Sequence, residues 1–212
     1  MLHLYTLLLE SWLPILSMLA GPALVSTPLT ERCTCRGAIF SNIRYLCGDW
    51  RLGPAILPSG PPFNILLANY ERLAGLCPDE FLRRYTNRTN GDFLWPPYEG
   101  FHPTSSPHSL EPGTLLDRFG NEGGRYLSPA NTPFAHRALP PASLNRLENG
   151  QDSNDSGGTA SYYLYRVERR FTVLTGIIAP WFEQRGAGTQ YLTPRNVGAL
   201  VEEGFLSRVL LD

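Results

Sequence analysis

Four cysteines lie between residues 33 and 77, and none occurs later in the chain. They are Cys33, Cys35, Cys47 and Cys77, a density typical of a disulfide-stapled extracellular module. A bridge between Cys33 and Cys35 would close too small a ring. Two connectivities remain open: 33–47 with 35–77, or 33–77 with 35–47. A zinc site is the alternative, but it would need a C-x-C pair without C-x-x-C or a nearby histidine, so we expect two disulfides and no metal.

The first residues predict export from the cell. An apolar run from Leu2 to Ala20, interrupted by Glu10 and Pro14 and followed by small residues, indicates a signal peptide over 1–23 and not a membrane span. No basic residue precedes the run, so the cleavage site is undetermined and a retained anchor is the alternative. Sequons at Asn87 and Asn154 predict N-glycosylation. We expect a secreted or cell-surface glycoprotein.

Charge and motifs exclude several function classes. The 18 basic residues are all arginines, against 19 acidic ones, which gives no basic surface for nucleic acid. Enzymes that need a P-loop or Schiff-base lysine are excluded. The chain has no G-x-S-x-G or H-E-x-x-H, and its four histidines lack metal-ligand spacing.

The chain divides into three parts after the signal peptide. Residues 24–100 form the disulfide-containing helical module, with one helix predicted over Asn64 to Leu73 and another from Pro78 to Tyr85. Residues 101–113 are rich in proline and form a predicted joint. Residues 114–212 form the C-terminal body.

The body is predicted to be mainly β, and the whole chain α+β. Apolar and aromatic residues alternate with polar ones from Tyr163 to Val173, as in a half-buried strand pair. Asn196 is a predicted helix cap, followed by a final strand over residues 205–211. The polar stretch from 146 to 161 indicates a surface insertion.

Two clusters could bind a ligand. The first sets Arg118, Arg125 and Arg137 beside aromatics and glycines, which suits a phosphorylated ligand with a flat base, since arginine binds phosphate and stacks on rings. Surface ion pairs with residues such as Asp117 and Glu122 are the alternative. In the second cluster, Trp181 and Phe182 precede a glycine-rich turn before Gln190, and the glycines would let a ligand approach the backbone. Core packing is the alternative for this aromatic pair.

Together these motifs resemble the tuberculosis necrotizing toxin family of NAD glycohydrolases over residues 113–209. The N-terminal part, with its four cysteines, is similar to the secreted fungal surface NADases. The motifs are Asp117-Arg118-Phe119-Gly120, Tyr126-Leu127-Ser128-Pro129, Arg137-Ala138-Leu139-Pro140-Pro141, Ala179-Pro180-Trp181-Phe182, Gly188-Thr189-Gln190, Cys47-Gly48-Asp49, Arg51-Leu52-Gly53 and Leu76-Cys77-Pro78.

The resemblance implies an ADP-ribosyltransferase-like fold and specific site residues. Arg118 and Arg137 would hold the diphosphate of NAD and Gln190 would be the key polar residue, these three being the catalytic set. The substrate-binding set would be Phe119, Tyr126, Trp181 and Thr189. The chain departs from the family's usual Pro-Gly-Gly-Gly at residues 185–188, where it has Arg185 and Ala187.

The resemblance also sets expectations for reaction and partners. We expect hydrolysis of NAD to nicotinamide and ADP-ribose by a toxin-like hydrolase, with NADP as a further candidate substrate and a homodimer by similarity to fungal relatives. No cofactor is expected. The acidic tail that supplies calcium ligands in fungal relatives is missing, and Glu202, Glu203 and Asp212 are poor substitutes. The alternatives are an ADP-ribosyltransferase of the same fold and a catalytically degenerate binding or effector domain.

Overall fold

A computed structural model describes residues 33–146 and 161–211. The predicted signal peptide over 1–23, the sequon at Asn154 and most of the predicted polar insertion lie outside these residues. Among the described residues, no helix combines the length and apolar character needed to cross a membrane.

The described residues hold seven antiparallel strands in one sheet, in the order β1-β5-β6-β3-β2-β4-β7. Strands β6, β3 and β2 are neighbours near its middle, which brings the Gln190, Tyr126 and Arg118 segments side by side. The bounds are β1 Ser106–Leu110, β2 Leu115–Phe119, β3 Tyr126–Pro129, β4 Tyr162–Val167, β5 Phe171–Ile177, β6 Thr189–Leu192 and β7 Leu206–Val209.

The predicted alternation over the strand pair is confirmed. Tyr165, Val167, Phe171 and Val173 are buried in one core cluster, while their neighbours Arg166 and Thr172 are exposed. A strand places successive side chains on opposite faces, so this pattern buries one face of β4 and β5. Helix α3, defined below, covers the same cluster.

Three α-helices accompany the sheet: α1 Phe63–Leu66, α2 Pro78–Tyr85 and α3 Val197–Glu202. The predicted Pro78 helix is confirmed, and Glu80 accepts from the Cys77 backbone N–H at 3.0 Å to cap it. The Asn196 cap is also confirmed, since its Oδ1 accepts from Ala199 N at 2.7 Å. The final strand is β7.

Helix α1 is much shorter than predicted. It begins at Phe63, not at an Asn64 cap, and ends at Leu66. Asn69 takes a left-handed backbone with φ of 60°, which interrupts the helical path. Phe63, Leu66 and Tyr70 instead pack with Phe119 and Phe134 in a second core cluster. Tertiary packing therefore prevails over the local helical pattern.

The structure also differs from prediction in the proline-rich joint. Residues 106–110 form β1 and pair with β5 along the edge of the sheet. Proline is tolerated at a sheet edge because an edge strand does not need every N–H in the ladder, so Pro107 concealed the strand in the sequence.

The disulfides are Cys33–Cys77 and Cys35–Cys47, the second of the two open connectivities. Each is expected to add about 3 to 4 kcal/mol by restricting the unfolded chain. Between them lies a buried ion pair, with Arg51 Nη2 2.6 Å from Asp49 Oδ2. Arg51 also donates to the carbonyls of Gly37 and Gly91, so this motif of the N-terminal part ties the stapled loops together.

The helical module and the sheet share their cores. Phe182, which follows β5, is fully buried against Phe81 and Tyr85 of α2 and against Phe93 and Trp95. The described residues, 33–146 and 161–211, accordingly fall into one compact unit.

Candidate active site

Five of the seven predicted catalytic and substrate-binding residues line one cleft at the middle of the sheet. It is a shallow cleft, open to solvent, with a cavity volume of about 30 Å³. Strands β2, β3 and β6 supply most of the wall, the segment after β3 supplies Arg137 and Leu139, and Ile178 directly follows β5. The lining residues are Asp117, Arg118, Phe119, Tyr126, Leu127, Ser128, Arg137, Leu139, Ile178 and Gln190.

Arg118 places a positive charge in this cleft, and the Glu122 carboxylate acts on it electrostatically without a direct ion pair. Its Nε donates to Asn121 O and its Nη1 to Tyr126 O, both at 2.7 Å. No ion pair joins it to a carboxylate among the residues in the structure, and burial lowers the pKa of its guanidinium. The predicted alternative of a surface ion pair therefore does not hold for Arg118. Glu122 forms its direct ion pair with Arg208, and a desolvated guanidinium without a direct carboxylate partner favours binding of an anion.

The Arg118 guanidinium lies against the backbone of Gly124, where a side chain would collide with it. A Cβ at residue 124 would lie 1.8 Å from Arg118 Nη2 and 2.5 Å from Cζ. Only glycine leaves room for the guanidinium in this place. The carbonyls of Asn121 and Tyr126 thus accept hydrogen bonds from Arg118, and the absence of a side chain at Gly124 leaves the space that its guanidinium occupies.

Arg137 differs from Arg118, because it is buried and forms an ion pair with Asp117. Its Nη2 lies 2.6 Å from Asp117 Oδ1, and Nε and Nη2 both donate to Thr132 O. Its Cζ is 5.1 Å from the centre of the Phe119 ring. The alternative predicted for the arginine cluster, an ion pair with an acidic residue, is thus confirmed for Arg137 and Asp117. This ion pair is buried in the wall of the cleft and does not lie on the surface.

Asp117 is the buried centre of that network. Tyr162 donates its hydroxyl to Oδ2 at 2.8 Å and Asn131 donates its backbone N–H at 3.0 Å. Burial raises the pKa of Asp117, and the Arg137 guanidinium and these donors oppose that shift. Oδ1 has no aligned donor in the described residues although Arg137 is close. The arrangement holds Arg137 and the Phe119 ring in a fixed orientation.

Gln190 and Tyr126 meet a residue that the sequence did not single out. The Gln190 Nε2 donates to the backbone oxygen of Glu99 at 2.8 Å, and the Tyr126 hydroxyl donates to the Glu99 carboxylate. Burial raises the pKa of Tyr126 to about 12, and the bond to Glu99 adds to the shift. Tyr126 is therefore a neutral donor at physiological pH.

Two predicted substrate-binding residues do not line the cleft. Trp181 donates its indole N–H to Leu94 O at 2.7 Å and packs edge-on against Tyr85, so it faces the module core. Thr189 pairs with Ile177 and precedes Gln190, so its side chain points to the other face of β6. Their substrate contacts remain predictions.

The glycine-rich turn has a structural role. A Cβ at Gly188 would lie 2.6 Å from His136 O, and one at Gly186 would lie 2.6 Å from Ile178 O. The expectation that these glycines admit a ligand is wrong, since neighbouring backbone already occupies the space. The turn packs the β5–β6 connection against the segment that carries Arg137.

The comparisons with known proteins identify the family of this chain. A family model described as tuberculosis necrotizing toxin matches residues 109–209. The conidial surface nicotinamide adenine dinucleotide glycohydrolase nadA of Aspergillus fumigatus is 41% identical over 183 residues, which cover 82% of this chain and 75% of that protein. The chain belongs to the tuberculosis necrotizing toxin family. The resemblance seen in the motifs is confirmed.

Solved structures of similar proteins include two toxins with their immunity partners. The tuberculosis necrotizing toxin complexed with its immunity factor IFT aligns with a TM-score of 0.49 and 19% identity, over 63% of this chain and 71% of that chain. Rhs1-CT in complex with its cognate immunity protein RhsI1 aligns with a TM-score of 0.35 and 17% identity, over 55% and 85%. Family membership rests on the sequence matches.

The necrotizing toxin match explains which site residues the sequence revealed. Every residue that lines the cleft lies within 109–209. Leu139 and Ser128 belong to recognised motifs and could have been predicted from them, whereas Asp117 was assigned only as an ion-pair partner. Glu99 lies before the matched region, in a segment without periodicity, so no sequence signal identified it.

Proposed function

We propose that this chain is an NAD glycohydrolase, which cleaves the nicotinamide–ribose bond of NAD to give nicotinamide and ADP-ribose. The observation that carries the proposal is the convergence of Arg118, Arg137, Phe119, Tyr126 and Gln190 on one cleft in a chain 41% identical to a named fungal NAD glycohydrolase.

The chemistry suits a cleft of this composition. Nicotinamide leaves NAD as a neutral molecule from a pyridinium cation, so the leaving group needs no general acid. The barrier lies in forming an oxocarbenium-like ribose, which an enzyme lowers by fixing the substrate and orienting water. Arg118 supplies a fixed cation for the diphosphate, and binding energy there supports distortion at the distant bond.

Arg137 contributes differently from Arg118. Because Asp117 already balances its charge, Arg137 is a poor site for a second full negative charge. We assign it to shaping the wall: with Asp117 it holds the Phe119 ring, and it adds a directional donor to the diphosphate region. This division between a free and a paired arginine refines the equal roles implied by the resemblance.

Gln190 favours hydrolysis over transfer. ADP-ribosyltransferases commonly have glutamate at this position, where a carboxylate can activate an acceptor. A neutral amide can only hydrogen-bond a ribose hydroxyl or water. Water is therefore the acceptor that the site supports, and the transferase reading is the alternative. The Glu99 carboxylate accepts the hydrogen bond from the Tyr126 hydroxyl.

We further propose that the protein works outside the cytosol and without a metal. Two disulfides fit an oxidising compartment, and Asn87 is exposed on a hairpin where a glycan would be accommodated. The expected homodimer remains a prediction, to be tested by light scattering of the purified protein.

A product assay tests the function. Purified protein is incubated with NAD and an acceptor protein, and nicotinamide, free ADP-ribose and labelled acceptor are measured. Equal amounts of nicotinamide and free ADP-ribose support hydrolysis, and labelled acceptor supports the transferase. Arg170→Ala, which removes an exposed arginine paired with Glu111, is the matched control for Arg118→Ala. If the folded wild-type protein gives no product, the result supports the alternative of a catalytically degenerate domain.

A further inference from the structure

A tight turn outside the family domain contacts two residues of the cleft. This rim turn is Tyr98–Gly100, and it lies before the region matched by the family model. Tyr98 and Glu99 have φ of 54° and 56°, the left-handed region that residues other than glycine rarely adopt. Such a conformation persists only where surrounding contacts impose it.

Three contacts impose the rim turn. Ala179 N donates to Gly100 O at 2.8 Å, Gln190 Nε2 donates to Glu99 O at 2.8 Å, and the Tyr126 hydroxyl donates to the Glu99 carboxylate. Two of the three donors are side chains of the cleft. The turn is thus attached to the site itself as well as to the sheet edge.

The contact with Glu99 O determines which way the Gln190 amide faces. A backbone carbonyl can only accept, so the amide must present its NH₂ group to it, and the reversed amide would set two oxygens against each other. The Oε1 atom is then left as the acceptor for the cleft that Gln190 lines. An acceptor there suits a ribose hydroxyl or a water molecule, both of which donate.

We propose that Glu99 is a positioning residue of the active site, which holds the rim turn through Tyr126 so that its backbone carbonyl orients the Gln190 amide. The proposal rests on the proposed NAD glycohydrolase function for its kinetic consequences. The N-terminal part therefore does more than stabilise the fold, because it completes the site of the family domain.

Substitutions at residue 99 separate positioning from charge. Glu99→Ala removes the anchor for Tyr126 and should lower kcat about tenfold, with KM within about threefold, because the amide is disordered while the arginine site is intact. Glu99→Gln keeps an oxygen acceptor and should stay within about threefold of wild type. Glu111→Ala, at an exposed glutamate whose carboxylate pairs with Arg170, is the matched control.

A double-mutant cycle tests the route through Tyr126. Tyr126→Phe removes the same hydrogen bond from the other side. In the Glu99→Ala background, Tyr126→Phe should cost less than about twofold in kcat, since the shared interaction is already lost. If the kcat losses of the two single variants multiply in full in the double variant, the proposed connection from Glu99 through Tyr126 is wrong.

An NMR measurement tests the positioning without turnover. The Gln190 side-chain NH₂ resonances, assigned by their loss in Gln190→Ala, should move in Glu99→Ala and stay near wild type in Glu99→Gln. Unmoved resonances with unchanged kcat in Glu99→Ala would overturn the proposal, as would equal kinetic losses in Glu99→Ala and Glu99→Gln. Moved resonances in a protein that does not cleave NAD would retain the positioning and reject the function.

Discussion

Gly124 offers a way to displace Arg118 without removing it. In Gly124→Ala, the new Cβ would lie 1.8 Å from Nη2, 2.5 Å from Cζ and 2.9 Å from Nη1 of Arg118, where ordinary contact is about 3.5 Å. The guanidinium must therefore move by on the order of 1.5 Å. That movement breaks its bonds to the carbonyls of Asn121 and Tyr126.

The expected effect falls on activity and not on folding. A displacement above 1 Å in a substrate-positioning group can cost about 100-fold in rate, so we expect kcat/KM for NAD to fall by about 100-fold. Gly124 does not need a left-handed backbone, and the clash meets the flexible end of a side chain. Stability should therefore change by less than about 1 kcal/mol.

The assay is NAD hydrolysis with urea unfolding on the same preparations. Gly60→Ala is the matched control, since nothing lies within 4 Å of a Cβ there. The double variant Gly124→Ala/Arg118→Ala should be no slower than Arg118→Ala alone, because both changes remove one interaction. Full kcat/KM in Gly124→Ala, or activity lost only together with the fold, would refute the reasoning.

Three further predictions concern the rest of the molecule. Phe182→Ala should lower the free energy of unfolding in urea by about 3 to 5 kcal/mol, because Phe182 is fully buried among four aromatic rings. The control Leu210→Ala, at an exposed residue, should change it by less than about 0.5 kcal/mol. Equal losses in the two variants would contradict the core that the helical module and the sheet share. Ala187→Gly should raise the free energy of unfolding by up to about 1 kcal/mol, because Ala187 has a left-handed backbone with φ of 67°, which glycine adopts without strain. A lower free energy of unfolding would show instead that the Ala187 methyl group contributes to packing. Treatment with a chelator should leave turnover within about twofold, since the proposed chemistry requires no metal ligand set, and restoration of lost activity by calcium alone would reject the metal-free reading.

The sheet was predictable where one face is buried. Tyr165, Val167 and Val173 alternate with exposed residues, and a period of two has no other simple explanation. The helix start at Pro78 and the Asn196 cap were predictable because helix-start signals are local in the sequence. The cysteines restricted the disulfides to two sets, and three-dimensional placement selected one of them.

Other features depended on partners distant in sequence. The segment from Asn64 to Leu73 has helical spacing, yet Tyr70 packs against Phe134, and this contact requires a different backbone path. Strand β1 was hidden by Pro107 because only the sheet edge tolerates it. The cleft residues followed from family motifs, whereas the placement of Trp181 in the module core required the fold.

Glu99 shows the limit of sequence reasoning for this site. Its contacts with Gln190 and Tyr126 span 91 and 27 residues, and its left-handed backbone has no glycine or asparagine to signal it. The residue became visible only when the rim turn and strands β3 and β6 were placed together.

A structure with an uncleaved NAD analogue tests the central claim most directly. The account predicts the diphosphate oxygens within about 3 Å of the Arg118 guanidinium, with the nicotinamide-bearing ribose beside Gln190 Oε1. The rival position is the pocket lined by Trp50, Phe93 and Trp95. An analogue bound there, with the Arg118 cleft empty at saturation, would contradict the account.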